Sequence, residues 1–117
     1  MATTEYRPAS PAGLTAEVIR QDGSILVKLS GELDLANAEE LRETLVHPDV
    51  LSADAVRVDL TRVTFLESTT IGLIVSACKR IRGRAGNFSV ICEEGTPRRV
   101  LEITGLVQYL QIESDAS

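Results

Sequence analysis

Apolar and polar residues alternate along several short stretches of the chain, which is the period-two pattern of a half-buried β-strand. The predicted strands are residues 14–20, 25–30, 56–60, 87–92 and 109–113. The first two are separated by residues 21–24, which contain Asp22 followed by Gly23. This dipeptide favours the positive φ angles of a tight turn. The first two strands are therefore predicted to form an antiparallel hairpin.

Three other stretches place apolar residues at spacings of three and four, which predicts amphipathic helices. The first helix begins at Asn37, which can form a capping box with Glu40, and it ends before Pro48. The second begins at Ser68 and carries apolar residues at helical spacing as far as Ile81. The third begins after Thr96, which is predicted to be its N-cap.

The predicted order is β-β-α-β-α-β-α-β, so most consecutive strands are joined through a helix. Strands joined in this way lie parallel, with right-handed crossovers. Residues 61–66 are predicted to be a loop between the third strand and the second helix. The pattern predicts an α/β fold: a mixed β-sheet with an N-terminal antiparallel hairpin, parallel crossovers and helices packed on it.

The chain of 117 residues fits a single domain, which is predicted to cover residues 13–113. Residues 1–12 contain Pro8 and Pro11 and are predicted to be a flexible N-terminal tail. Residues 114–117 are predicted to be a C-terminal tail.

Composition and charge narrow the classes of function. The net charge of −5 argues against a nucleic-acid ligand, because such proteins usually carry a basic excess. The one basic cluster is Lys79, Arg80, Arg82 and Arg84, with no aromatic residues between them. No apolar run approaches the roughly 20 residues that span a bilayer, and residues 1–12 lack the apolar centre of a signal peptide. We therefore expect a cytoplasmic protein without membrane insertion, and a monomer by default.

The sequence offers no catalytic constellation, so the chain is predicted not to be an enzyme. His47 is the only histidine and has no nucleophile beside it in sequence. Cys78 and Cys92 do not have the spacing of metal ligands, so two buried reduced thiols are expected, with no metal and no cofactor. A carboxylate pair could be imagined from Asp59 and Glu67, but acid–base chemistry would require both in one pocket.

The segment around the start of the second helix is the candidate functional region. Ser68, Thr69 and Thr70 stand consecutively where unpaired backbone N–H groups and the positive end of the helix dipole are expected. A phosphate group on a hydroxyl here would be stabilised by the same N–H groups. The alternative interpretation is that Ser68 or Thr69 only caps the helix.

Over about residues 14–113, the chain resembles the STAS domain, and specifically the bacterial anti-sigma factor antagonists. The segments that carry the resemblance are residues 31–34 (GELD), 38–42 (AEELR), 58–63 (VDLTRV), 65–72 (FLESTTIG), 98–101 (RRVL) and 104–106 (TGL). In this family a serine that follows an acidic residue is phosphorylated by an anti-sigma factor with serine kinase activity. The unphosphorylated form binds that kinase and releases the sigma factor.

The resemblance implies that Ser68 is the phosphorylated residue, with Thr69 as the alternative, and that a phosphatase reverses the modification. The implied partner-binding residues are Asp34, Phe65, Glu67, Ser68, Thr69 and Thr70. For Phe65, a place in the core remains equally open, whereas Leu66 is expected in the core. Two residues depart from the family pattern: Glu67 stands where aspartate is usual, and Thr70 stands where glycine is usual. Another function implied for this fold is that of an accessory subunit of a lipid-transporting ABC complex.

Overall fold

In the computed structural model, which describes residues 2–7 and 13–114, six strands form one sheet whose spatial order follows the chain. The strands are β1 (Ala2–Arg7), β2 (Leu14–Gln21), β3 (Ser24–Leu33), β4 (Ala55–Leu66), β5 (Asn87–Ile91) and β6 (Ile112–Glu113). The helices are α1 (Ala38–Leu45), α2 (Pro48–Leu51), α3 (Ser68–Gly83), α4 (Thr96–Ile103) and α5 (Val107–Leu110), with a 3-10 turn at Leu35–Asn37. Strands β1 to β3 pair antiparallel and β3 to β6 pair parallel, so the predicted fold class is confirmed.

The core lies between the inner face of the sheet and the helices. Alternate residues of the strands are buried on this inner face, including Leu14, Ala16, Val18, Ile25, Val27, Leu29, Val56, Val58 and Leu60. They form one cluster with apolar residues of α1 and α3, such as Leu41 and Ile74, which are fully buried. Helix α1 packs on α3, and α4 packs beside β4. The opposite face of β2 and β3 has no such apolar cluster, because every second residue there is only half-buried.

The turn between β2 and β3 forms as the sequence predicts. Asp22 and Gly23 both have positive φ angles, of 50° and 84°. Two consecutive positive φ angles match the twist of an antiparallel hairpin, and Gln21 pairs with Ser24 across the turn.

The prediction of a loop over residues 61–66 is wrong, because β4 continues to Leu66. Two β-bulges interrupt its parallel pairing with β3, one between Lys28 and Ser30 and one after Gly31. Each bulge adds one residue to β4, which breaks the alternation of apolar and polar side chains. The alternation of apolar and polar residues that predicts a strand therefore stops at the first bulge, whereas β4 itself continues.

Both ends of the chain also differ from the prediction. Ala2–Arg7, predicted as part of a flexible tail, forms the edge strand β1 on β2, whereas residues 1 and 8–12 lie outside the described residues. The strand predicted over residues 109–113 is limited to Ile112–Glu113, because Val107–Leu110 is helical. In the predicted C-terminal tail, Ser114 donates a hydrogen bond to Glu93 Oε1 over 3.0 Å, and residues 115–117 lie outside the described residues.

Two of the four residues of the basic cluster at the end of α3 make contacts inside the molecule. Arg82 donates to the carbonyl oxygen of Phe88 over 3.0 Å, and its guanidinium carbon lies 5.3 Å from the centre of the Tyr109 ring. Arg84 donates to the backbone carbonyl groups of Leu51 and Ala53. These contacts attach α5 and the segment before β4 to the end of α3.

Both cysteines are buried free thiols, as the sequence predicts. Burial raises the pKa of Cys78, and it raises the pKa of Cys92 to about 11. Neither thiol is therefore a reactive thiolate near neutral pH. None of the helices in the described residues has the length and apolar content required to cross a bilayer.

Candidate functional site

The candidate site lies at the carboxyl ends of β3 and β4, which are neighbouring parallel strands. Leu33 pairs in register with Leu66, and the backbone N–H of Glu67 donates to the carbonyl oxygen of Leu33 over 3.2 Å. The segments that follow the two strands therefore begin side by side. This arrangement brings the loop that contains Asp34 next to the helix start that contains Ser68, at the edge where α/β sheets commonly bind ligands.

Ser68 is the first residue of α3, and its side chain is exposed, as is that of Thr69. Neither hydroxyl makes a hydrogen bond to any part of the chain that the structure describes. The N-cap of α3 is Glu67, with extended backbone angles, so the interpretation of Ser68 or Thr69 as the cap is wrong. The two hydroxyls are accessible at the positive end of a helix of 16 residues.

Thr70 does not belong to the exposed site, contrary to the prediction that it contacts a partner. Its side chain is fully buried, and its Oγ1 lies 2.7 Å from the carbonyl oxygen of Glu67 and 3.0 Å from that of Leu33. Oγ1 also accepts a hydrogen bond from the backbone N–H of Glu67 over 3.3 Å. The third hydroxyl of the run therefore connects the start of α3 to the end of β3 and fixes the position of Ser68.

The loop that contains Asp34 is held by its own capping interactions. Asp34 Oδ1 accepts a hydrogen bond from the N–H of Ala36 over 3.0 Å, and Asn37 Oδ1 accepts one from the N–H of Asp34 over 3.1 Å. Asn37 is fully buried and also donates to the carbonyl oxygen of Glu32. The capping box predicted between Asn37 and Glu40 is therefore wrong, since the Asn37 side chain is turned back toward Asp34.

Two apolar side chains lie in the segments that form the site. Phe65 is 43% exposed, so of the two places left open for it, core or surface, it lies at the surface. Leu66 is 4% exposed and belongs to the core as expected. Leu35, which follows Asp34, is 71% exposed, and its exposure is not among the features predicted from the sequence. The sequence signal that could have indicated it is a leucine directly after a helix-capping residue type, aspartate, at the start of a helix.

The imagined carboxylate pair of Asp59 and Glu67 does not form a site. Asp59 is 6% exposed in the middle of β4, where its Oδ1 accepts a hydrogen bond from the N–H of Thr61 over 2.8 Å. Glu67 follows the end of the same strand, so the two residues are roughly 20 Å or more apart at about 3.3 Å per residue.

A Thr70→Val substitution is expected to lower the free energy of unfolding by about 1–3 kcal/mol, because it leaves buried backbone groups with fewer hydrogen bonds. Valine has nearly the same shape as threonine, so the effect isolates the hydroxyl. A Thr70→Ser variant keeps the hydroxyl and is the matched control, with a smaller loss expected. Urea unfolding of both variants measures the difference, and equal stability of the two would contradict a structural role for the hydroxyl.

Comparison with known proteins agrees with this architecture. A family model described as the STAS domain matches residues 15–116. The anti-sigma-B factor antagonist of Staphylococcus epidermidis is 31% identical over 99 residues, covering 85% of this chain and 92% of that protein. The crystal structure of an anti-sigma factor antagonist from Mycobacterium paratuberculosis has a TM-score of 0.80 at 27% identity, covering 90% of this chain and 89% of that one. The Bacillus cell fate determinant SpoIIAA in its phosphorylated form has a similar fold, with a TM-score of 0.59 at 16% identity over 97% of this chain and 94% of that one. The chain therefore belongs to the STAS-domain family.

Proposed function

We propose that this chain is an anti-sigma factor antagonist and that phosphorylation of Ser68 controls its binding to an anti-sigma factor. The observation that carries the proposal is the exposed Ser68 hydroxyl at the first position of α3. The names of the relatives supply the class of partner. The unphosphorylated form binds an anti-sigma factor with serine kinase activity, and the sigma factor is thereby released.

The surface around Ser68 has the composition of a protein-binding site. Phe65 and Leu35 offer exposed apolar area, and Asp34, Glu67 and Thr69 add polar groups at the same end of the sheet. Large apolar side chains rimmed by polar groups are typical of protein interfaces. We assign all five residues, together with Ser68, to the surface that the anti-sigma factor covers.

Phosphorylation would act on this interface more than on the fold. A phosphoserine adds a charge of about −1.5 to −2, and at the first position of a helix the dipole and the free N–H groups favour that charge. In the complex, the same charge would be covered by the partner beside Glu67 and would have to be desolvated. Phosphorylation therefore releases the partner without unfolding the domain, and a phosphatase restores binding.

The direct test is to incubate the chain with the anti-sigma factor kinase of the same organism and ATP, and to map the phosphate by mass spectrometry. We expect one phosphate, on Ser68. A Ser68→Ala variant should remain unmodified, and a Thr69→Ala variant, which removes the adjacent exposed hydroxyl, should be modified as in the wild type. Modification on Thr69 in the wild type, or no modification at all, would contradict the proposal.

A further inference from the structure

The outer face of the sheet carries a polar groove on the side opposite the α1–α3 layer. Its volume is about 300 Å³, and its lining consists of Thr15, Glu17, Lys28, Ser30 and Arg62. This volume is at the lower end of the range for small-molecule sites. We call it the outer-face groove. It is separate from the site at the start of α3, since none of its lining residues belongs to that site.

The five lining residues occupy neighbouring positions of three adjacent strands. Thr15 pairs in register with Ser30, and Ser30 pairs with Arg62, so these three form one row across β2, β3 and β4. Glu17 pairs with Lys28 in the next row. Directly paired residues lie about 5 Å apart, and side chains two positions apart on a strand point to the same face. The polar groups of the groove are therefore held together by the sheet itself.

The first bulge of β4 is what places Arg62 in this groove. Val56, Val58 and Leu60 are buried on the inner face, so a regular strand would turn residue 62 to the same inner face. Between Lys28 and Ser30, β4 advances by three residues instead of two, and Arg62 is exposed while Val63 is buried. The bulge thus moves a guanidinium group out of the core and into the row that contains Ser30.

Lys28 and Arg62 are cations that make no ion pair and no side-chain hydrogen bond within residues 13–114. The carboxylates Glu17 and Asp59 both pair in register with Lys28, but Asp59 is 6% exposed and its Oδ1 accepts a hydrogen bond from the N–H of Thr61. By contrast, two other arginines of the sheet are paired, Arg20 with Asp49 at 2.5 Å and Arg57 with Glu113. In a chain with a net charge of −5, the lining of this groove has two cations against one carboxylate, Glu17, so its local charge favours an anion.

We infer that the outer-face groove binds a small phosphate monoester that also carries a hydroxyl group. Lys28, Arg62, Ser30 and Thr15 offer donors from four side chains, which suits the three terminal oxygens of a phosphate group better than the two oxygens of a carboxylate. Glu17 beside Lys28 offers an acceptor for a hydroxyl group of the ligand, and its charge disfavours a polyanion such as nucleic acid. The inference does not depend on the phosphorylation of Ser68.

The test is a titration of the isotopically labelled chain with sn-glycerol 3-phosphate at constant ionic strength, followed by amide chemical shifts. We expect saturable shifts limited to residues near positions 15–17, 28–31 and 60–63, with a dissociation constant on the order of 1 mM for so small a probe. Lys28→Gln and Arg62→Gln should each weaken binding by about tenfold, because each removes a charged donor. Arg99→Gln, which changes an exposed arginine of α4, is the matched control and should leave binding unchanged.

Separate titrations with glycerol, succinate and sodium chloride identify the group that is recognised. Glycerol and sodium chloride should give no saturable shifts, and succinate should bind more weakly than glycerol 3-phosphate. Tighter binding of succinate would overturn the assignment to a phosphate group. Absence of saturation with glycerol 3-phosphate, or binding that survives both glutamine variants, would overturn the site itself. The amide spectra of the free variants confirm that they are folded.

Discussion

A Ser68→Glu variant is expected to bind the anti-sigma factor about a hundredfold more weakly than the wild type, a loss of ~3 kcal/mol. The glutamate places a permanent negative charge at the first position of α3. This position follows Glu67 and lies beside the loop that contains Asp34. The interface would then have to desolvate an additional carboxylate among groups of the same sign. Isothermal titration calorimetry with the purified anti-sigma factor measures the change.

Two further variants separate the effect of a charge at position 68 from the loss of the hydroxyl and from a charge elsewhere on α3. Ser68→Ala should bind as tightly as the unphosphorylated wild type and should not respond to the kinase, because the Ser68 hydroxyl bonds to no described part of the chain. Ser76→Glu adds the same charge at an exposed position further along α3 and should leave the affinity unchanged. If Ser68→Glu binds within twofold of the wild type, the switch is not electrostatic.

The fold of the Ser68→Glu variant should be intact. A negative charge in the first turn of a helix is stabilised by the helix dipole, so thermal unfolding should change little or shift slightly upward. A large loss of thermal stability would attribute the weaker binding to unfolding instead of to the interface.

A Gly31→Ala variant is expected to lose about 4 kcal/mol of stability or more, which is a large part of the roughly 5–15 kcal/mol that holds such a domain together. Gly31 has a φ angle of 101°, a conformation that residues with a side chain rarely adopt. A Cβ atom at this position would also lie 2.0 Å from the carbonyl oxygen of Gly13. Because that atom belongs to the backbone at the start of β2, the clash cannot be relieved by rotating a side chain.

Gly72→Ala is the matched control for this experiment. Gly72 lies in α3, and a Cβ atom there would meet nothing within 4 Å. Alanine has the higher helix propensity, so this variant should gain about 0.5–1 kcal/mol. Urea unfolding monitored by circular dichroism compares the two variants. A Gly31→Ala variant as stable as the wild type would show that β2 and β3 can separate at this point without cost.

The periodic parts of the fold could be predicted from the sequence, and the irregular parts could not. The hairpin at Asp22 and Gly23 has a local signal, and α3 has a long run of apolar residues at helical spacing. The continuation of β4 beyond Leu60 has no such signal, because bulges depend on the pairing partner and not on the strand alone. The short helix α5 has no such signal either, because it is a single helical turn that ends at a left-handed residue, Gln111 with a φ angle of 55°.

The site was predictable in its location but not in the role of each hydroxyl. Three consecutive hydroxyl residues at a helix start indicate a polar site, yet successive helical residues point about 100° apart. Ser68 and Thr69 therefore face solvent, whereas Thr70 faces the carbonyl oxygen of Leu33. Which of the three turns inward depends on the position of β3, a tertiary contact that the local sequence does not contain.

The two bulges of β4 also have a consequence for comparing this chain with distant relatives. At the first bulge, Leu60 and Thr61 lie opposite Leu29, and Thr61 is the extra residue because Leu60 continues the buried face. At the second bulge the extra residue is Thr64, since Gly31 pairs with Val63 and Glu32 with Phe65. If either threonine were removed, the strand would pair without that bulge. Leu66 and its neighbours would then still point to the same faces of the sheet as before. In relatives that lack a bulge, the correct alignment gap therefore falls inside a strand, at a position where alignment methods usually penalise gaps most heavily.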